Sequence, residues 1–179
     1  MRPTYESRRP GATVGRVRWR SLLLTVAIGG FLLTGCGDDA ETGNPVLENS
    51  VVWTLDGEAT KMHEFLGRPL VVNFFAETCP PCIREMPAFD TVFGEVADEV
   101  NFLGVSEDAT AAAGQRIVEA TEIGYAVVWD ADGSALMALQ AMGLPTTAFV
   151  DGSGEVLELH TGEMSADELR ERLAVHFGV

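Results

Sequence analysis

The chain reads as an α/β domain with a central mixed β-sheet flanked by helices. Two observations carry that expectation. Residues 70–75 and 100–105 are nearly continuous apolar runs with β-branched residues, the pattern of strands buried on both faces, and a helical stretch separates them. Further on, residues 146–150 and 155–159 are joined by Asp151-Gly152-Ser153-Gly154, which predicts an antiparallel hairpin and so makes the sheet mixed.

The elements follow in order. Residues 1–20 carry six Arg and a single acid, Glu6, and the apolar stretch 22–33 comes next. A basic start and an apolar run this short predict a secretory signal and not a spanning helix. Ser7-Arg8-Arg9 echoes a twin-arginine signal, but Pro10-Gly11 follow where an apolar pair belongs, so general and twin-arginine export both stay open. The run ends in Leu33-Thr34-Gly35-Cys36, which resembles a bacterial lipobox with Cys36 as the lipidated residue. The other reading is a signal cleaved elsewhere with an odd Cys left over. Residues 1–35 are therefore expected to be a lipoprotein signal peptide, 36–49 a polar tether and 50–179 the folded domain.

Within the domain, residues 51–55, the turn Asp56-Gly57 and residues 58–60 predict a β-hairpin. A short helix or turn over 62–66 stops at Gly67. After the strand 70–75, a helix from about Pro81 to about Ala97 contains Pro87, which should kink it. The strand 100–105 is followed by a helix capped by Asp108 or Thr110 and running to about Ala120. Residues 125–129 predict a third strand, and 134–142 a helix ended by Gly143. Ser165-Ala166-Asp167-Glu168 is a capping box that opens the last helix.

The chemistry concentrates in Cys79-Pro80-Pro81-Cys82, just past the end of the strand 70–75, where open α/β sheets place their sites. Cysteines at i and i+3 of a helix share a face and lie within disulfide reach. Pro80 and Pro81 fall in the first turn, where a missing N–H costs nothing. Cys79 at the helix N-terminus gains from the macrodipole, by about one pKa unit at most. Glu77 pushes the other way, so a Cys79 pKa at or above about 7.5 is expected. Cys82, one turn deeper, is the expected resolving thiol. Zinc needs about four ligands, yet there is no second cysteine pair and His63, His160 and His176 are scattered, so no metal and no cofactor are expected. A purely structural disulfide closing so short a loop would stabilise little.

Charge narrows the partners. The full chain carries a formal charge of −15; after residue 35 there are six basic and 26 acidic residues, or −20. Such a surface argues against nucleic acid and anionic lipid. Anchoring would come from lipid, in a compartment outside the cytoplasmic membrane where disulfide chemistry is at home.

These pieces resemble the thioredoxin superfamily, and within it the membrane-anchored TlpA/ResA-like thiol–disulfide oxidoreductases. The match lies in Val71-Val72-Asn73-Phe74-Phe75-Ala76, the CPPC, Glu85-Met86-Pro87, Gly143-Leu144-Pro145-Thr146-Thr147 and Asp151-Gly152-Ser153-Gly154. The resemblance implies a thioredoxin fold with an inserted strand–helix segment near 100–130. It implies Cys79 as attacking thiol, Cys82 as resolving thiol and Pro145, followed by Thr146, as a cis-proline beside the disulfide; an ordinary turn proline is the other reading of Pro145. It also implies a lipid-anchored protein of the bacterial cell envelope, expected as a monomer, that reduces or exchanges disulfides in secreted clients. Apocytochrome c would be one client, in cytochrome c maturation, and a membrane thiol donor would supply electrons.

Departures from the pattern are Thr78, where an aromatic residue usually precedes the first Cys, and Asn73, where thioredoxin has a buried Asp. An amide takes no proton, so another group must serve Cys82. Glu107 matches an acidic position near the site in the cytochrome-maturation members; an exposed Glu near a helix start is the plain reading. Glu85, one turn from Cys82, reads equally well as a solvated helix residue, and Trp53, Trp129 and the Phe residues as core. Three rivals remain: an oxidant that donates its disulfide, a metal-carrying module, and a thiol peroxidase, against which Ala76 stands where that family needs Thr.

Overall fold

The computed structural model describes residues 49–179. The expected signal peptide, Cys36 and nearly all of the tether lie outside the described residues.

The buried runs do form strands. β1 (Val51–Thr54) and β2 (Ala59–Lys61) make the hairpin, and a 3-10 turn, Met62–Phe65, leads to β3 (Leu70–Phe75), buried at every residue. α1 (Pro80–Val96) follows, then β4 (Asn101–Ser106), α2 (Ala111–Thr121), β5 (Ala126–Trp129) and α3 (Ser134–Ala138). β6 (Thr146–Val150), β7 (Val156–Thr161) and α4 (Ala166–Phe177) complete the domain. The strands form one sheet in the order β2-β1-β5-β4-β3-β6-β7. β3, β4 and β5 run parallel; β1 pairs antiparallel with β2 and β5, and β6 antiparallel with β3 and β7. The sheet is mixed, as expected.

Two apolar layers hold the helices on. On one face Val71, Phe75, Phe102 and Phe149 pack against Met86, Phe89 and Val92 of α1, Ile117 of α2, and Leu169 and Leu173 of α4. On the other, Val72, Phe74, Leu103, Val105 and Val150 pack against Met62 of the 3-10 turn and Ala135 and Leu139 of the α3 region. α2 crosses β4 so closely that a Cβ on Gly114 would lie 2.6 Å from Ser106 Oγ; only glycine fits there.

Several expectations are corrected in detail. α3 stops at Ala138 and not at Met142, because Gln140 adopts a left-handed φ of 54° and the chain turns out of the helix. α2 starts after Thr110 with no side-chain cap, since the Asp108 carboxylate is turned away to accept from Glu77 N and Ser106 Oγ at 2.9 Å each. Pro87 lies inside α1, as expected, and the helix continues on either side of it. Trp53 and Trp129 are half-buried and not core; their rings meet at 6.1 Å, and Trp129 Nε1 donates to Asp108 O. The capping box on α4 forms as expected.

Candidate active site

β3 delivers the chain to the site. After Phe75 the backbone turns, with Cys79 N donating to Ala76 O, and α1 begins at Pro80 and Pro81. Cys79 is the N-cap residue. Its sulfur accepts from Cys82 N at 3.4 Å, one of the donors that a helix start leaves free. Cys79 and Cys82 are joined in a disulfide with Cα atoms 5.4 Å apart. Cys79 is 9% exposed and Cys82 is fully buried, so the pair presents one sulfur outward and keeps the other inside. Glu77 does not act on Cys79 as a lone charge: its carboxylate is paired with Arg116 of α2 at 2.7 Å.

The Leu144–Pro145 bond is cis and Pro145 is buried. Thr146 pairs with Phe74 in the β3–β6 ladder, so Pro145 sits at the same end of the sheet as the Ala76–Cys79 turn. Thr146 Oγ1 ties the loop down by donating to Gly143 O at 2.7 Å.

Beneath the disulfide lies a buried acid that the sequence left undecided. Glu85 is 2% exposed, one turn after Cys82 on α1. Asn73 Nδ2 donates to its Oε1 at 2.8 Å, and Met164 N to its Oε2 at 3.0 Å. Burial pushes its carboxyl up to about 7, against the two hydrogen bonds and with a small push from Glu163. The solvated reading of Glu85 is thus overturned. The signal was present: Cys82, Glu85, Met86, Phe89 and Val92 form the buried stripe of α1, and a charge in such a stripe demands a partner.

A disulfide at a helix N-cap, with a proton-accepting carboxyl one turn inside, is equipped for dithiol chemistry near neutral pH. Comparison with known proteins agrees. The model of the AhpC/TSA family matches residues 42–159. The chain belongs to the AhpC/TSA family. Within that thioredoxin-fold family it is similar to thiol-disulfide oxidoreductase ResA of Halalkalibacterium halodurans, at 31% identity over 124 residues, covering 69% of this chain and 70% of that protein. A ResA of Bacillus cereus is 27% identical over 155 residues, 85% of this chain and 90% of the relative. Among solved structures, MTB dsbF superposes with a TM-score of 0.66 at 32% identity, covering 73% of this chain and 97% of that one. A secreted Mycobacterium tuberculosis disulfide oxidoreductase homologous to E. coli DsbE gives 0.63 at 27%, covering 72% and 96%. The AhpC/TSA chain described here is a thioredoxin-like thiol–disulfide oxidoreductase of the ResA/DsbE type, and its partners are disulfide-containing substrates.

Glu107 sits at the end of the sheet that carries the Cys79 turn. It follows β4, its backbone N donating to Phe75 O, and its carboxyl is half-buried among Asp130, Asp132 and Asp108. Burial first, then the charge and hydrogen bond of Asp130, push it up to about 8. Asp130 in turn accepts from Ala135 N at the start of α3. Asn73 faces α1, as its place between Val71 and Phe75 requires, and orients Glu85 instead of holding a proton itself.

Proposed function

We infer that the chain is a dithiol reductant of the cell envelope, with Cys79 attacking and Cys82 resolving. The observation that carries this is the asymmetry of the pair: Cys79, on a helix N-cap, keeps 9% of its surface exposed, while Cys82 is fully buried one turn before Glu85. In the reduced protein the Cys79 thiolate attacks a client disulfide, forming a mixed disulfide and releasing one client thiolate. Cys82 passes its proton to Glu85, and its sulfur attacks Cys79, releasing the second client thiolate and closing the Cys79–Cys82 bond. Two electrons pass to the client, and a membrane thiol donor would restore the dithiol. Pro145 and Thr146 would hold an extended client strand beside the disulfide.

The secreted relative, the lipobox-like ending at Cys36 and the acidic surface support a lipid-anchored protein on the outer side of the bacterial cell membrane. In this reading residues 1–35 are the signal peptide, 36–49 the tether and 50–179 the working domain. Apocytochrome c is a fitting client class in cytochrome c maturation.

Incubating the reduced Cys82→Ser variant with oxidised insulin tests the function. A disulfide-linked adduct that persists without reductant is expected, and rapid peroxide consumption without an adduct would favour the thiol peroxidase reading instead. For the anchor, Cys36→Ser in the full chain should shift the protein from the membrane fraction to the soluble one; unchanged membrane retention would end the lipoprotein reading.

A further inference from the structure

Inside the apolar layer beneath α1 lies a small group of polar side chains. Asn73 on β3 is flanked in register by Gly104 on β4 and Thr147 on β6. Gly104 leaves room for the ring of Tyr125: a Cβ there would come within 3.3 Å of its Cε2. Tyr125 is 4% exposed and packs edge-on to Phe93 and tilted to Phe102, with centroids 6.0 Å away in each case. Among the described residues, its hydroxyl and Asn73 Oδ1 are two of the three buried side-chain polar atoms without a hydrogen-bond partner. The third, Glu107 Oε1, belongs to the carboxylate cluster beyond β4.

Buried polar groups are seldom left unpaired, and when they are, the pairing they await is informative. Asn73 spends its amide N–H on Glu85 and leaves its oxygen open. Tyr125 offers an O–H. Burial first, then the charges of Glu85 and Asp90, hold the phenol proton on, so the hydroxyl remains a donor at any working pH. The open acceptor is on the residue that holds Glu85, and the unpaired donor is on the ring that packs over Gly104, the register neighbour of Asn73.

We propose that Tyr125 is a positioning residue for the proton of Cys82: its hydroxyl donates into the Asn73–Glu85 pair and stabilises the carboxylate that receives that proton. A small movement of the ring, or one internal water with two to four polar partners, makes the contact. The inference rests on Glu85 acting as the acceptor. The other charged group acting on this carboxyl is Glu163, before α4 and itself paired with Arg84 at 2.5 Å; Cys82 lies one turn before it on α1, Asp90 acts on Tyr125 and accepts from Gly124 N, and His160 of β7 pairs with Thr147.

The test is Tyr125→Phe, which keeps the ring packing and removes only the hydroxyl. Two readouts are taken on the reduced protein: the Glu85 titration midpoint, by carbon NMR of labelled carboxyls, and the pH profile of mixed-disulfide resolution. Removing a donor from a carboxylate favours its protonated form. Both midpoints should therefore rise together, by about one pH unit for a hydrogen bond to a charged group. Global fluorotyrosine labelling gives the opposite check. After residue 35, Tyr125 is the one tyrosine of the chain, and a more acidic phenol should lower both midpoints. A purely structural role would lower the melting temperature and leave both midpoints in place, which overturns the proposal. So does a Glu85 midpoint that moves without the resolution profile. Glu85→Gln separates the two levels. If it leaves the resolution profile unchanged, the reading of Glu85 fails and the inference with it; if it removes the dependence while Tyr125→Phe shifts nothing, only the inference fails.

Discussion

Cys79→Ser is expected to reduce thiol–disulfide exchange to background. A hydroxyl is not ionised near neutral pH and forms no disulfide, so both the attacking thiolate and the product bond are lost. Nothing else in the site can replace it: Cys82 is fully buried, and Cys36, if present in the chain used, lies far along the sequence in the expected tether. The fold should survive, because Cys79 is an N-cap and Ser is a favoured residue there. Turnover of oxidised insulin, measured beside thermal unfolding, checks this. Retained turnover would remove Cys79 from the mechanism.

Glu85→Gln should produce the next largest effect, and on two quantities at once. The first is kinetic. Positioned proton transfer is worth about 10²–10⁴-fold in rate, and an amide cannot accept the proton of Cys82. Resolution of the mixed disulfide at pH 7 should therefore slow by about 10²-fold or more, with recovery as the pH is raised and the thiol ionises unaided. Stopped-flow detection of the accumulating mixed disulfide measures it. The second is thermodynamic. The folded carboxyl is pushed up to about 7 by burial, above its value in the unfolded chain. Below the unfolded value both states hold the proton, and stability is complete. As the pH climbs toward 7 the unfolded chain loses its proton first, and stability falls; above 7 the loss is constant. At about 1.4 kcal/mol per pKa unit, the penalty at pH 8 is on the order of 3 to 4 kcal/mol. Glu107, pushed up to about 8, extends the same decline. Urea unfolding should show the wild type weaker at pH 8 than at pH 5, and Glu85→Gln should flatten that difference. An unchanged slope would mean that Glu85 is not a buried acid.

Much of this site was legible in the sequence for local reasons. β3 is a continuous apolar run, the CPPC follows its end directly, and prolines in a first helical turn need no tertiary support. Pro145 and Thr146 were placed beside the site by resemblance, and the β3–β6 register brings them to the same end of the sheet. What stayed hidden depends on neighbours in space. Glu85 looks like a surface residue until Asn73 and Met164 are known to satisfy it. The Glu107–Asp130 pairing needs β4 and β5 side by side, 23 residues apart in the chain. Tyr125 reads as one more aromatic until Gly104 lets its ring in beside Asn73. The early end of α3 rests on the left-handed Gln140, a residue type that announces no such turn.

The measurement that bears most directly on the whole account is the equilibrium reduction potential of the Cys79–Cys82 pair in the domain, titrated against thiol–disulfide buffers. A reversible two-electron transition near or below about −250 mV, the thioredoxin end of the scale, is the predicted result and makes the protein a reductant. A value near about −120 mV would mean a disulfide donor and contradict the direction of electron flow argued here.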